Sequence, residues 1–183
     1  MELALPLTEL VYQKAKGNPF FSTQFLKSLF EDGLINFNID AGYWECDLVG
    51  VKQLSLSEDV VEFMASRLQK LPPETREILQ LAACLGDRFD LETVAIAKEK
   101  SPVQTAKALW SALEEGLILP QSEIYKFYLG EEEKENQTSI TALNYKFLHD
   151  RVQQAAYSLI PSQNRQQTHL KIGRLLWSNL PDT

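Results

Sequence analysis

A strand-like run, Asn144-Tyr145-Lys146-Phe147, passes through Leu148-His149-Asp150 straight into an amphipathic helical pattern. In that pattern Val152, Ala155, Ala156 and Leu159 fall at i, i+3, i+4 and i+7, which is one apolar helix face. The period changes from two to 3.6 with no loop between, so strand and helix must be immediate neighbours. His149 and Asp150 stand at the handover. Backbone N–H groups and the dipole of a helix start favour an anion at such a point. The remainder of the chain is organised around this junction.

Helix punctuation orders the rest. A helix over 9–16, capped by Thr8, is stopped by Gly17. Asn18-Pro19 restarts a helix at once, with Asn as N-cap and Pro at the first helical position. Phe21, Phe25 and Leu29 run down one side with Phe30 beside them, and Asp32-Gly33 ends the helix. Segments 34–38 and 43–47 predict a hairpin about Asp40-Ala41-Gly42. Ser57 caps a helix to residue 70 with Val61, Met64, Ala65 and Leu68 on one stripe.

After Leu71-Pro72-Pro73 the spacing predicts helices over 73–85 and 91–100, the second capped by Asp90. Ile78, Leu81, Ala82 and Leu85 share the face of the first. A further helix starts at Ser101-Pro102, with Val103, Ala106, Trp110 and Leu113 inward, and Gly116 stops it. Strands are predicted over 117–119, 125–128 and 140–147, with an acidic solvated loop over 130–137. Three helices followed by a hairpin with a long loop is the order of a winged helix-turn-helix. From Ser162 to about residue 180 a last helix carries His169, Ile172, Gly173 and Leu176 on one face. It reads as the start of a helical repeat array. The fold class is therefore mostly α with minor β. The predicted divisions are a helical lid with a hairpin over 1–70, a winged helix over 71–160, and a helical linker or array over 161–183.

With 183 residues the chain can hold one or two small domains, and its net charge of −7 disfavours a general nucleic-acid surface. The predicted third helix exposes Gln104, Lys107, Glu114 and Glu115 beside an acidic wing, which phosphates would repel. Two cysteines, Cys46 and Cys84, form neither a disulfide framework nor a metal pattern and suit a reducing cytosol. A cytoplasmic location is expected, with no membrane span in this stretch. The chain begins and ends abruptly among helical sequence, so further domains are expected on both sides.

No Gly-rich phosphate loop, nucleophile elbow or zinc-binding helix is present in the sequence. The carboxylates of 131–135 read as a solvated charge run, because paired catalytic carboxylates need a cleft that raises one pKa. His149-Asp150 opens like a phosphoacceptor box, but the Arg follows too early and no Pro occurs before Pro161, so that reading is rejected. No catalytic and no metal-ligating residue is assigned. On the residues alone, Pro19 serves equally as helix punctuation, His149 as a packed structural group, and Asp150 as a cap. Arg151 serves as a surface residue or as a partner for the Asp150 carboxylate.

Gly17-Asn18-Pro19-Phe20-Phe21, Leu71-Pro72-Pro73, Leu81-Ala82-Ala83-Cys84-Leu85-Gly86, and the stretch from Phe147-Leu148-His149-Asp150 to Tyr157-Ser158-Leu159 stand in a particular order. Together they resemble the lid and winged-helix region of STAND-type AAA+ regulatory ATPases, as found in large multi-sensor serine/threonine and histidine kinases. The resemblance covers nearly the whole chain. It implies that Asn18 and Pro19 match the Gly-x-Pro motif, whose Pro packs on adenine. It implies that His149 and Asp150 match the end of the Met-His-Asp motif, with Leu148 in place of Met, and that the His contacts the β-phosphate of ADP. Arg151 follows as a weaker candidate.

On this reading the stretch is a non-catalytic regulatory fragment without a cofactor of its own. The parent protein would hold ADP or ATP with Mg in an upstream nucleotide-binding domain. Its partners would be that domain and downstream helical, sensor and kinase domains of the same chain. The alternatives are a protein–protein interaction module indifferent to nucleotide and, more weakly, a DNA-binding winged-helix protein.

Overall fold

The computed structural model of the chain describes residues 4–53, 59–121 and 143–179. The expected cap at Ser57, the strand over 125–128, the acidic loop over 130–137 and the first part of the strand over 140–147 lie outside them. The fold is mostly α with small antiparallel sheets. The chain divides into two compact units, Met1–Phe63 and Met64–Thr183.

In the first unit, helix α1 (Ala4–Ala15) packs on α2 (Pro19–Glu31). The sequence pattern started α1 at Glu9, with Thr8 as its cap, but the helix begins five residues earlier. Pro6 falls in its first turn, where the missing N–H has no intrahelical acceptor to lose. Gly17, at φ 78°, makes the turn between the helices. Asn18 caps α2 through its Oδ1, which accepts the Phe21 amide at 3.2 Å, and Pro19 holds the first helical position.

Phe21, Phe25 and Leu29 are buried as expected. Phe63 meets Phe21 edge-on at 5.0 Å and completes this aromatic core. Phe30 turns away from that core and is exposed. Strands β1 (Ile35–Asn38) and β2 (Tyr43–Cys46) form the predicted hairpin. Its turn is closed by the Gly42 amide on the Asn38 carbonyl at 2.8 Å, with Gly42 at φ 71°. A short helix α3 (Leu48–Gln53) was not foreseen. Asp47 starts it by accepting the Val49 and Gly50 amides on Oδ1.

Helix α4 (Val60–Lys70) follows, with Met64 and Leu68 buried and Val61 and Ala65 half-buried. In the second unit, Arg67 is buried to 7% exposure and pairs with Glu115 at 2.8 Å. Glu115 thus serves a buried guanidinium and not the exposed groove face the sequence suggested.

Next come α5 (Pro73–Leu85), β3 (Arg88–Asp90), α6 (Leu91–Lys98), α7 (Pro102–Glu114), β4 (Ile118–Pro120), β5 (Asn144–Phe147), α8 (Asp150–Ser158) and α9 (Ser162–Ser178). The sheet order is β3-β5-β4, all antiparallel. Strand β3 was missed because three residues are too few for an alternation signal. Helix α6 ends at Lys98 and not at 100, because Glu99 takes a left-handed conformation, φ 58°, without a glycine to announce it.

The faces of two helices are rotated from their predicted positions. Helix α5 buries Thr75, Ile78, Leu79, Ala82 and Ala83, while Leu81 and Leu85 are half-buried. Helix α7 buries Thr105, Ala106, Leu109 and Ala112, whereas Val103 and Trp110 are exposed. The cause is close packing of α5 on α7. The Thr75 hydroxyl donates to the Ala108 carbonyl at 2.6 Å, a separation that small side chains permit and an indole would not. Asp90 and Ser101 act as the predicted caps, Ser101 within a full capping box with Gln104. On α9 only Ile172 of the predicted face is buried, and His169 and Gly173 are exposed.

Leu109→Ala should therefore destabilise the second unit by about 2–5 kcal/mol, while Trp110→Ala should cost under about half of that, as read by urea unfolding. At the surface, the Lys100 ammonium hydrogen-bonds the Glu74 carboxylate and holds that carboxyl below its ordinary value. A depressed folded-state pKa stabilises above the unfolded value, and the contribution is lost as pH falls through the folded one. Carboxyl-detected NMR titration should give Glu74 a midpoint below an ordinary glutamate, and Lys100→Ala should raise it.

Candidate functional site

Strand β5 sets the candidate site in the second unit. Its Phe147 amide donates to the Asp87 carbonyl at 2.9 Å, and the Leu148 amide donates to the Leu117 carbonyl at 2.9 Å. These bonds tie the end of β5 to the chain just before β3 and just before β4. Helix α8 is held against α5 by Val152, Ala155 and Ala156, all buried, and by Gln153 Nε2 donating to the Ala83 carbonyl at 3.2 Å. The residues between strand and helix are thus anchored on both sides.

His149 is the N-cap of α8, in extended conformation at φ −149°, ψ 148°. Its Nδ1 accepts the Arg151 amide at 3.2 Å, and the same nitrogen lies against Asp150 Oδ1. Capping thus falls to the imidazole and not to Asp150, which is the first helical residue. Asp150 and Arg151 are exposed, and His149 is half-buried. Arg151 Nη1 donates to Gln154 Oε1 at 2.9 Å, along the helix, while the Asp150 carboxylate faces His149. The structure thus brings His149, Asp150 and Arg151 together at one helix start.

Asn18 and Pro19 lie in the first unit, at the start of α2. Asn18 is half-buried and committed to its cap; Pro19 is exposed.

Elsewhere in the second unit a cleft of about 370 Å³ opens among α5, α6 and α9, lined by Glu77, Lys98, Glu99, Ile160, Thr168 and Lys171 among others. Its charges are paired internally, Lys98 with Glu77 and Lys171 with Glu99. None of the five predicted site residues lines it. Burial pushes the Cys84 thiol up, with Arg165 acting in the opposite sense, and burial together with Asp47 pushes the Cys46 thiol up. Neither thiol has the lowered pKa of a nucleophile. Among the described residues no group of three His, Cys, Asp or Glu is arranged to hold a metal ion, and no helix is long and apolar enough to cross a membrane.

The cap makes a direct expectation. His149→Ala should cost about 0.5–2 kcal/mol, and His149→Asn should recover most of it, since Asn caps well. Thermal unfolding followed by circular dichroism would show both effects.

The chain is similar to a stretch of the hybrid signal transduction histidine kinase G of Dictyostelium discoideum, 31% identical over 194 residues, which is 94% of this chain and 6% of that protein. It is also similar to the peroxide stress-activated histidine kinase mak3 of Schizosaccharomyces pombe, 32% identical over 119 residues, 61% of this chain and 5% of that protein. The chain thus spans only a small part of the length of these relatives, both of which are histidine kinases. No protein-family model matches the chain, and no solved structure matches it.

Proposed function

We propose that this chain is a non-catalytic regulatory segment of a nucleotide-switched signalling kinase. Its task is to couple the ADP or ATP state of a nucleotide-binding domain, with its Mg, to downstream helical, sensor and kinase modules. The observation that carries the reading is the His149-Asp150 turn, pinned between a doubly paired strand and a helix start in a chain whose relatives are histidine kinases. Support for the winged-helix part comes from the order helix, strand, two helices, two strands over α5 to β5. Resemblance to the STAND lid supplies the nucleotide itself.

What the residues would do is specific. With Nδ1 accepting the Arg151 amide, a neutral His149 ring carries its proton on Nε2. That N–H is the donor a β-phosphate would receive, at a helix start whose dipole already favours an anion. By the STAND resemblance, Pro19, with Asn18 before it, would pack on adenine. A charge-assisted His–phosphate hydrogen bond is worth about 1.5–3 kcal/mol, against ~5.5 kcal/mol for a full two-state switch. His149 therefore biases the resting state, and further contacts complete it.

The test uses the full-length parent protein. Both His149→Ala and His149→Asn should raise basal kinase output and speed ADP release, by about tenfold to a hundredfold. If Asn restores the resting output while Ala does not, His149 acts only as a helix cap. If neither variant changes ADP release, the nucleotide reading is wrong.

A further inference from the structure

The first unit carries an apolar surface that its own core does not use. Ile35 pairs with Cys46 and Phe37 with Trp44, so these side chains share one face of the hairpin. Ile35 is buried, but one step further out Phe37 is 47% and Trp44 57% exposed. Phe30, at the end of α2, is 53% exposed and meets the Trp44 ring edge-on at 6.0 Å. Trp44 meets Phe37 at 5.4 Å. Single exposed apolar side chains are ordinary; three large rings joined through Trp44 form a patch. The patch is the outward continuation of the face that Ile35 buries.

The surrounding charge narrows what covers it. Residues 30–47 contain five carboxylates, Glu31, Asp32, Asp40, Glu45 and Asp47, and neither Lys nor Arg. All five are exposed. Three accept hydrogen bonds that hold them in place, Asp32 Oδ2 from the Ser28 hydroxyl at 3.3 Å. Glu45 Oε1 accepts from Asn38 Nδ2 at 2.7 Å, and Asp47 accepts two α3 amides. The nearest cation in sequence, Lys27, reaches Glu31 from the α2 side at 3.8 Å.

We propose that this aromatic platform docks a cationic protein segment, a Lys- or Arg-bearing helix or strand with an apolar side. Its aliphatic side chains cover the rings, while its cations meet the acidic rim and the face of Trp44. A second copy of the unit would bring a second acidic rim against the first. Nucleic-acid backbones and anionic membrane surfaces carry the same wrong sign.

The chain of residues 1–183 would be titrated into a fluorescein-labelled amphipathic peptide of leucine and lysine, and into its leucine–glutamate analogue, with anisotropy as the readout. Saturable binding is expected for the lysine peptide alone, weakening about tenfold or more between about 0.05 and 0.3 M salt. Phe37→Ser with Trp44→Ser should weaken it at least about tenfold, as loss of central aromatic anchors does. Asp40→Asn with Glu45→Gln should weaken it about three- to tenfold and keeps the fold should the ring variant lose it. Absence of saturable binding, equal binding of both peptides, indifference to the charge variant, or a dimer built through these rings in sedimentation would each overturn the proposal.

Discussion

Strand β5 has hydrogen-bonded neighbours on both edges, β3 on one and β4 on the other, and it runs within two residues into α8. The second unit depends on that double pairing. A strand with both edges satisfied cannot slip by one residue without exposing Tyr145 and Phe147, which are buried, and burying Asn144, which is exposed. The register in turn fixes where Leu148 and His149 fall. The Leu91 amide on the Leu143 carbonyl carries the same restraint to the start of α6. The His149-Asp150 turn is therefore positioned by the sheet, through bonds that also reach the chain before β3, the start of α6 and the chain before β4.

Much of this was legible from residue types. Asn18-Pro19, Asp90 and Ser101-Pro102 marked helix starts correctly because capping is local chemistry, decided within four residues. The hairpin about Gly42 followed from turn residues for the same reason. The errors over helix faces share one cause, which is that tertiary contacts choose between faces that local spacing leaves nearly equivalent. On α7 the large Val103 and Trp110 made the more conspicuous stripe, yet Thr105, Ala106, Leu109 and Ala112 won because α5 approaches too closely for an indole. Glu99 ended α6 in a left-handed conformation that glycine would have announced. Asp150, a good cap by type, yielded to His149 because the chain becomes helical one residue earlier than a cap at Asp150 implies.

The site was only partly legible. The sequence singled out His149 and Asp150 and their helix start, and the structure brings them together with Arg151. The contacts within the trio were not readable. Arg151 lies along the helix on Gln154, and Asp150 turns back to the imidazole. The aromatic platform was overlooked because Phe30 was read only as a neighbour of the α2 stripe, and no pattern along the chain shows that Trp44 and Phe37 would meet it. Cross-strand register is required for that, and register is a long-range property.

One nitrogen of the His149 ring lies against two partners of opposite demand. Toward the Arg151 amide it must offer a lone pair; toward the Asp150 carboxylate it must offer a hydrogen. It cannot do both at once, so the first turn of α8 and the neighbouring carboxylate make opposite demands on one ring nitrogen. The tautomer of that one ring therefore settles whether the helix keeps its lid or the acid keeps its companion.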